Sequence, residues 1–335
     1  MPKEARFYLQ RDNALVQCSL CPRNCEIKPG ERGHCKTREN RNGKLYSLVY
    51  GYPVTMNNDP IEKKPFYHVY PGSKSFSIAT AGCNFDCKFC QNWEISQKLP
   101  EEVSVQYMRP LDIARLAKHY GARTVAYTYN EPSILSEYVI DCAMAARDMG
   151  IGNVMVSNGY INEAPQAELM DLLTAYKVDL KAFSQVFYAE YCKGRIKPVL
   201  ETLQRLAGHG VWYEIVVLVI PTLNDDADEI KRMCEWIVSN LGDTVPVHFT
   251  RFHPRYKLKN LPPTPPKTLQ KVHKIAISSG CKFVYTGNMP GIGGETLCPK
   301  CRNMVIRRYG NFIESNSLNK NECPHCTSHV PGVWF

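Results

Sequence analysis

The stretch Ala81-Gly82-Cys83-Asn84-Phe85-Asp86-Cys87-Lys88-Phe89-Cys90-Gln91-Asn92 places three cysteines at C-x3-C-x2-C. Three thiolates this close in sequence can wrap one compact metal centre. A structural zinc takes four protein ligands, and a four-iron cluster usually takes four thiolates as well. No further cysteine follows Cys90 for fifty residues, and Cys35 on the other side falls in a set of its own. The simplest account is a [4Fe-4S] cluster held by Cys83, Cys87 and Cys90, with one iron left open for a ligand that is not protein.

Two further cysteine sets have ligand spacing. Cys18, Cys21, Cys25 and Cys35 lie within eighteen residues, separated by turns at Pro29-Gly30 and Gly33. Four soft ligands favour zinc or an iron centre. A structural zinc is the first reading, and a second iron–sulfur cluster its rival. Bare clustered thiols would be prone to oxidation. His34 could replace one cysteine, although a surface turn suits it better. At the other end, Cys298-Pro299-Lys300-Cys301 and Cys323-Pro324-His325-Cys326 are separated by twenty-one residues, with apolar Met304–Ile306 and Phe312-Ile313 between them. This predicts a hairpin in a zinc ribbon, for which a rubredoxin-like iron site would use the same ligands. So small a segment lacks a sufficient core, but a bound metal contributes about 10–16 kcal/mol in zinc-finger peptides. Of the remaining cysteines, Cys142 and Cys234 fall on apolar helical faces and read as core residues.

Composition sets outer limits. The 335 residues suffice for one large domain with small appendages. The expected division is a Cys-rich region over 1–72, a core domain over 73–290 and a ribbon over 291–335. No apolar run approaches the roughly 20 residues of a membrane span. No apolar signal region follows the N-terminal Met-Pro-Lys-Glu-Ala-Arg. Fifteen cysteines in metal-ligand spacings, rather than a disulfide framework, point to a reducing cytoplasm. The formal charge of +9 treats every cysteine as neutral. Two four-thiolate zinc sites at −2 each and an oxidised three-thiolate cluster at −1 lower it to about +4. That balance does not favour nucleic acid as a partner.

The elements that must position these groups begin near Ser73. Strand-like apolar runs alternate with helical stretches, the signature of βαβ units on a parallel sheet. Strands are predicted over Phe76–Thr80, Thr124–Tyr129, Val154–Ser157, Lys177–Leu180, Val211–Ile220, Val245–Phe249 and Lys282–Tyr285. Helices are predicted over Leu111–Tyr120, Ser133–Met149, Ala164–Ala175, Val199–His209, Asp226–Leu241 and Pro266–Ser279. The fold class is α/β: a partial or open (β/α)6-type TIM-like barrel, with function expected at the C-terminal ends of its strands. The Cys83–Cys90 loop follows the first strand and starts at that end. The preceding Asp59–Gly72 is too proline-rich for regular structure and reads as an ordered loop, part of which packs through its aromatics. Alternation puts Asp179 and Lys181 on one face, towards the interior, where charges need partners. A structural ion pair would meet that need. Glu131 is suited to cap the helix after Pro132, and Ser157-Asn158-Gly159 has the form of a turn.

The C-x3-C-x2-C motif, with the aromatic Phe89 before its last cysteine, resembles that of the radical S-adenosylmethionine (SAM) enzymes. The resemblance implies that the open iron chelates SAM. An electron from the cluster would cleave SAM to methionine and a 5′-deoxyadenosyl radical that removes hydrogen from a substrate. It also implies the sites at the strand ends. Tyr129-Asn130-Glu131-Pro132 resembles the superfamily's Gly-Gly-Glu-Pro motif without its two glycines, which points to Glu131 as a partner of the SAM ammonium. Ser157 and Asn158 would bond ribose hydroxyls. Asp179-Leu180-Lys181 is similar to the SAM-contacting pair of the glycyl-radical-enzyme activases, and His253 in Arg251-Phe252-His253-Pro254 fits a SAM-contacting histidine, whereas His248 suits the core. The arginine that those activases carry in the fifth strand is absent, with Glu214 nearby. Taken in order, the N-terminal C-x2-CPR-x-C, the Pro-Ile-Glu-Lys-Lys-Pro loop and the four later motifs resemble the radical SAM member of the AmmeMemoRadiSam system, related to pyruvate formate-lyase activating enzymes. Expected partners are then SAM, a reductant such as ferredoxin or flavodoxin, and Memo-like and AMMECR-like proteins. A zinc-dependent binding module and an iron–sulfur electron carrier are the alternatives. The first predicts salt-sensitive affinity for nucleic acid and no labile iron, and the second needs no open iron, Glu131 or Asp179/Lys181 pair.

Overall fold

The computed structural model describes residues 2–103, 105–289 and 293–335. The expected boundary between 290 and 291 therefore lies outside the described residues. An eight-stranded sheet dominates, with its strands side by side in chain order: β1 Thr55–Pro60, β2 Lys74–Ala79, β3 Thr124–Tyr127, β4 Gly152–Ser157, β5 Ala175–Asp179, β6 Trp212–Val219, β7 Val247–Arg251 and β8 Val284–Gly287. β1 runs antiparallel to β2, and every later neighbour is parallel. Six crossover helices join the parallel strands: α1 Pro110–His119, α2 Ser136–Asp148, α3 Glu163–Met170, α4 Lys197–His209, α5 Ala227–Leu241 and α6 Pro266–Ser278. Among the described residues no ladder joins β1 to β8. The result is an open, partial TIM-like barrel. No described helix is long and apolar enough to cross a membrane.

Parallel strands covered on both faces need apolar residues at both parities. The outward set Val125, Tyr127, Met155, Val178, Ile215, Val217 and Phe249 packs with the helices into the main core. The inward set changes character along the strands. At the N-terminal end, Ala126, Val154 and Ala175 pack against Ile61, Phe66 and Val69. The two alanines leave room for the Ile61–Tyr70 segment, which fills the bottom of the barrel. Asp59–Gly72 is thus ordered as expected but more regular than its prolines suggested. Its first residues complete β1, a 3-10 turn covers Ile61–Lys63, and the rest is a packed plug. β1 lies along β2 from Thr55↔Ala79 to Pro60↔Lys74, so the barrel sheet starts well before residue 73.

The plug is bolted from below by the C-terminal segment. There, β9 Thr296–Leu297, β10 Met304–Tyr309 and β11 Phe312–Asn316 form a three-stranded antiparallel sheet. The buried Arg308 of β10 donates to Tyr67 O at 2.6 Å and to Thr296 Oγ1 at 2.8 Å. Val333 N donates to His68 O at 2.7 Å, and Tyr70 N to Val333 O at 2.8 Å. At the other end of the chain, two small three-stranded sheets carry Cys18 and the neighbouring Arg38–Arg41 strand. These strands are only two to four residues long.

Candidate active site

The Cys83–Cys90 loop leaves β2 at its C-terminal end, and backbone geometry shapes it first. Gly82 sits at φ 87°, and a Cβ there would lie 2.4 Å from Thr37 Cγ2 and 2.6 Å from Cys35 O. Only glycine lets the loop lie so close against the N-terminal region. Phe85 and Phe89 then bury their rings, and the loop backbone pairs with the turn at Tyr188–Cys192: Asp86 N to Cys192 O at 3.0 Å and Lys88 N to Tyr191 O at 2.9 Å. Asn130 Nδ2, at the end of β3, ties the loop's start through Thr80 O at 2.6 Å and Gly82 O at 2.8 Å.

This packing turns Cys83, Cys87 and Cys90 into one cavity of about 300 Å³ at the C-terminal mouth of the strands. Burial pushes the Cys83 thiol well above its ordinary pKa, and the Glu131 charge adds to this. The neighbouring Cys192 thiol, together with burial, pushes Cys87 up likewise. Such thiols lose their protons when a metal takes the place of the proton. Phe85 N and Ser96 Oγ lie 3.4 and 3.2 Å from Cys83 Sγ and Cys90 Sγ. The donor set fits a thiolate-bound iron–sulfur cluster. It fits a single zinc less well: among the described residues, only the ribbon brings three or more ligand atoms all within 4.8 Å of one another.

The opposite wall is polar. Asp179 and Lys181, on β5 and just past its end, both face the cavity and form an ion pair at 2.7 Å. Burial opposes the Lys181 charge, but Asp179 and the Cys87 sulfur hold it protonated above the usual ammonium range. Asn158 also lines the cavity, while Val156, Val216 and Leu218 supply apolar wall. Glu131 lies behind this surface. It is fully buried, caps the turn at Pro132 by accepting from Ser133 N at 3.0 Å, and accepts from Ser157 Oγ and Asn158 N at 2.7 Å each. Burial raises its pKa against those bonds. Ser157 is buried with it, and His253 is exposed beyond β7, away from the cavity lining. The structure therefore brings together the three cysteines, Phe89, Asn158, Asp179 and Lys181, sets Glu131 and Ser157 in the wall, and leaves His253 outside.

Other groups were not anticipated. Lys63 and Lys64 from the plug line the cavity, and Lys64 Nζ lies 2.9 Å from Tyr129 Oη and 3.1 Å from Asp59 Oδ2. Tyr129 stands at φ 72°, a left-handed conformation uncommon for a bulky side chain. Asn130 Oδ1 is buried and has no hydrogen-bond partner among the described residues. Lys177 lies on the cavity floor, and burial lowers its pKa to about 7 against the pull of Glu214 and Asp179. Beneath it, Glu214 accepts from His68 N at 2.9 Å, Tyr67 N at 3.1 Å and Trp212 Nε1 at 3.3 Å, and pairs with His248 Nε2 at 2.6 Å. The alternation that places Asp179 and Lys181 inward extends to Lys177, and the Lys177↔Glu214 register carries it to β6.

The family model for the Radical SAM superfamily matches residues 77–237, from β2 into α5. The chain belongs to the radical SAM superfamily. It is 44% identical to the Methanocaldococcus jannaschii protein MJ0808 over 308 residues, 92% of each chain. A second protein of that organism, MJ0674, is 25% identical over 263 residues, covering 75% of this chain and 70% of its own. The crystal structure of Streptococcus suis SuiB bound to precursor peptide SuiA superposes with a TM-score of 0.51 at 14% identity, over 68% of this chain and 51% of SuiB. That likeness concerns the fold alone. Membership of the superfamily supports SAM-dependent radical chemistry.

Proposed function

We propose that this radical SAM enzyme cleaves SAM reductively at Cys83, Cys87 and Cys90 and directs the resulting radical at a substrate held in the same cavity. The observation that carries this reading is the convergence of three thiols and the Asp179–Lys181 pair on one pocket. When bound, a reduced [4Fe-4S] cluster would supply the one electron that SAM cleavage consumes, an external reductant replacing it. Lys181 offers an ammonium for the SAM carboxylate, and Asp179 a carboxylate for its ammonium or ribose. Asn158 presents an amide to the ribose, fixed in place by Glu131, which holds its backbone N–H. Val156, Val216 and Leu218 limit water around the reacting atoms.

The order of motifs supports a finer placement as the radical SAM member of the AmmeMemoRadiSam system. A ferredoxin or flavodoxin would then serve as reductant, with Memo-like and AMMECR-like proteins as partners. A protein substrate, as in glycyl-radical activases, and a small molecule both suit a cavity open at the strand ends. The test is anaerobic reconstitution with iron and sulfide, reduction, and assay for 5′-deoxyadenosine in the presence of SAM. The protein is expected to form it, and Cys87→Ala to form none. Undiminished product from that variant would end the proposal.

A further inference from the structure

The N-terminal cysteines form a site of their own. Cys18, Cys21, Cys25 and Cys35 all line one small, mostly enclosed void of about 10 Å³, although they come from two separate turns and a strand. That is about the space of one water-sized sphere. Sulfurs drawn to ~2.3 Å from a single zinc leave no such space between them. The ribbon shows the contrast within the same molecule. Its Cys298 and Cys326 sulfurs lie 3.6 Å apart and those of Cys301 and Cys323 3.7 Å apart, close to the ~3.8 Å edge of a tetrahedron around one zinc. Among the described residues no comparable contraction occurs at the N-terminal set, and in this it matches the Cys83/Cys87/Cys90 set.

The surroundings suit a charged cluster. Thr37 Oγ1 lies 3.3 Å from Cys35 Sγ, and Arg38 Nη1 lies 3.7 Å from Cys18 Sγ. Arg38 is 1% exposed and is held there by its ion pair with Glu137. Donors directed at ligand sulfurs are a usual means of tuning an iron–sulfur potential. Arg23 also lines the void, and its Nε donates to Asn84 O at 2.6 Å. Asn84 itself reaches the void, while its Oδ1 accepts from Asn158 Nδ2 at 2.8 Å on the cavity side. The loop segment next to Cys83 is therefore the partition between the two cysteine sites.

We infer that Cys18, Cys21, Cys25 and Cys35 bind a second iron–sulfur cluster, saturated by its four thiolates. With no open iron it has no place for SAM. One-electron exchange is the chemistry left to it: an external donor of the ferredoxin or flavodoxin class loses one electron, the cluster gains one, no bond changes and no proton moves. The inference does not depend on SAM cleavage.

The test uses the full chain carrying Cys83→Ala, Cys87→Ala and Cys90→Ala, reconstituted anaerobically with iron and sulfide. This variant is expected to keep about half the iron and sulfide of the wild type if both clusters have four irons. It should give an electron paramagnetic resonance signal on reduction that added SAM leaves unchanged. Adding Cys21→Ser should remove that iron. Wild-type protein isolated from cells should hold one zinc per chain, at the ribbon. Two zincs per chain, or a triple variant without sulfide, would overturn the inference, and the zinc count decides even where a variant fails to fold. If the wild type forms no 5′-deoxyadenosine but the triple variant keeps its signal, the proposed reaction fails and this site stands.

Discussion

Replacing Glu214 with alanine should be among the most damaging single changes outside the cysteines. The carboxylate is fully buried and serves four donors: two backbone N–H groups of the plug, the Trp212 indole and the His248 imidazole. It is also the main counter-charge to Lys177. Breaking a buried charge pair from one side costs about 3–5 kcal/mol, because the remaining groups are left unsatisfied. A protein of ordinary stability has about 5–15 kcal/mol in hand. At about 2 °C per kcal/mol for a chain of this size, the melting temperature should fall by about 6–10 °C. Glu214→Gln keeps the shape and one acceptor oxygen, and should cost about 1–3 kcal/mol. Anaerobic scanning calorimetry of the metal-loaded proteins measures both. The pH dependence gives an independent reading. Burial opposes ionisation of Glu214, but the His248 bond and nearby positive charges outweigh it and hold the pKa at about 2, below the ordinary 4.5. Its contribution is therefore present above pH 4.5 and lost as pH falls through 2, so the glutamine variant should show a shallower acid limb across that window. A loss below about 1 kcal/mol for Glu214→Ala, with an unchanged acid limb, would refute the view that this carboxylate holds the plug to the barrel.

Lys181→Ala should leave the iron content unchanged and weaken SAM binding by about 10- to 100-fold, the range of a hydrogen bond to a charged group; calorimetric titration of the reconstituted protein checks this, and unaltered affinity would remove Lys181 from the site. Gly82→Ala forces a side chain into Thr37 and Cys35 at a positive φ, so iron occupancy and thermal stability should both fall, with iron analysis and melting curves as the measures. A chelator that removes metal from the Cys298/Cys301/Cys323/Cys326 set should raise protease cleavage within Met304–Asn316, because those cysteines belong to the small cluster that buries Val305 and Ile306; resistance equal to that of the loaded protein would contradict this.

The barrel was largely legible because its strands and helices follow two clean periodicities. The seven predicted parallel strands and six helices all form, with shifts of a few residues at their ends. β1 was not legible. Thr-Met-Asn-Asn-Asp-Pro has poor strand propensity and no buried residue, and it is a strand because β2 offers it an edge. The cysteine sets could be read from spacing alone, whereas the size of the space they enclose is a property of packing. Glu214 and its partners in the plug are 146 and 147 residues apart, so no local pattern announces them. The same holds for Lys64, which reaches the cavity through Tyr129 from sixty-five residues away. Glu131 shows how one residue can satisfy two readings: its motif marks it for the site, and its N-cap geometry places it in the wall.

The ribbon and the plug stopper the N-terminal end of the strands, so the cysteine-lined cavity opens towards the opposite end. The stopper also decides where the protein would leak. Unfastening Arg308 and the Val333 pairing would admit solvent beneath Glu214 and Lys177 first, hydrating the charged floor before the cysteine-lined chamber lost its shelter.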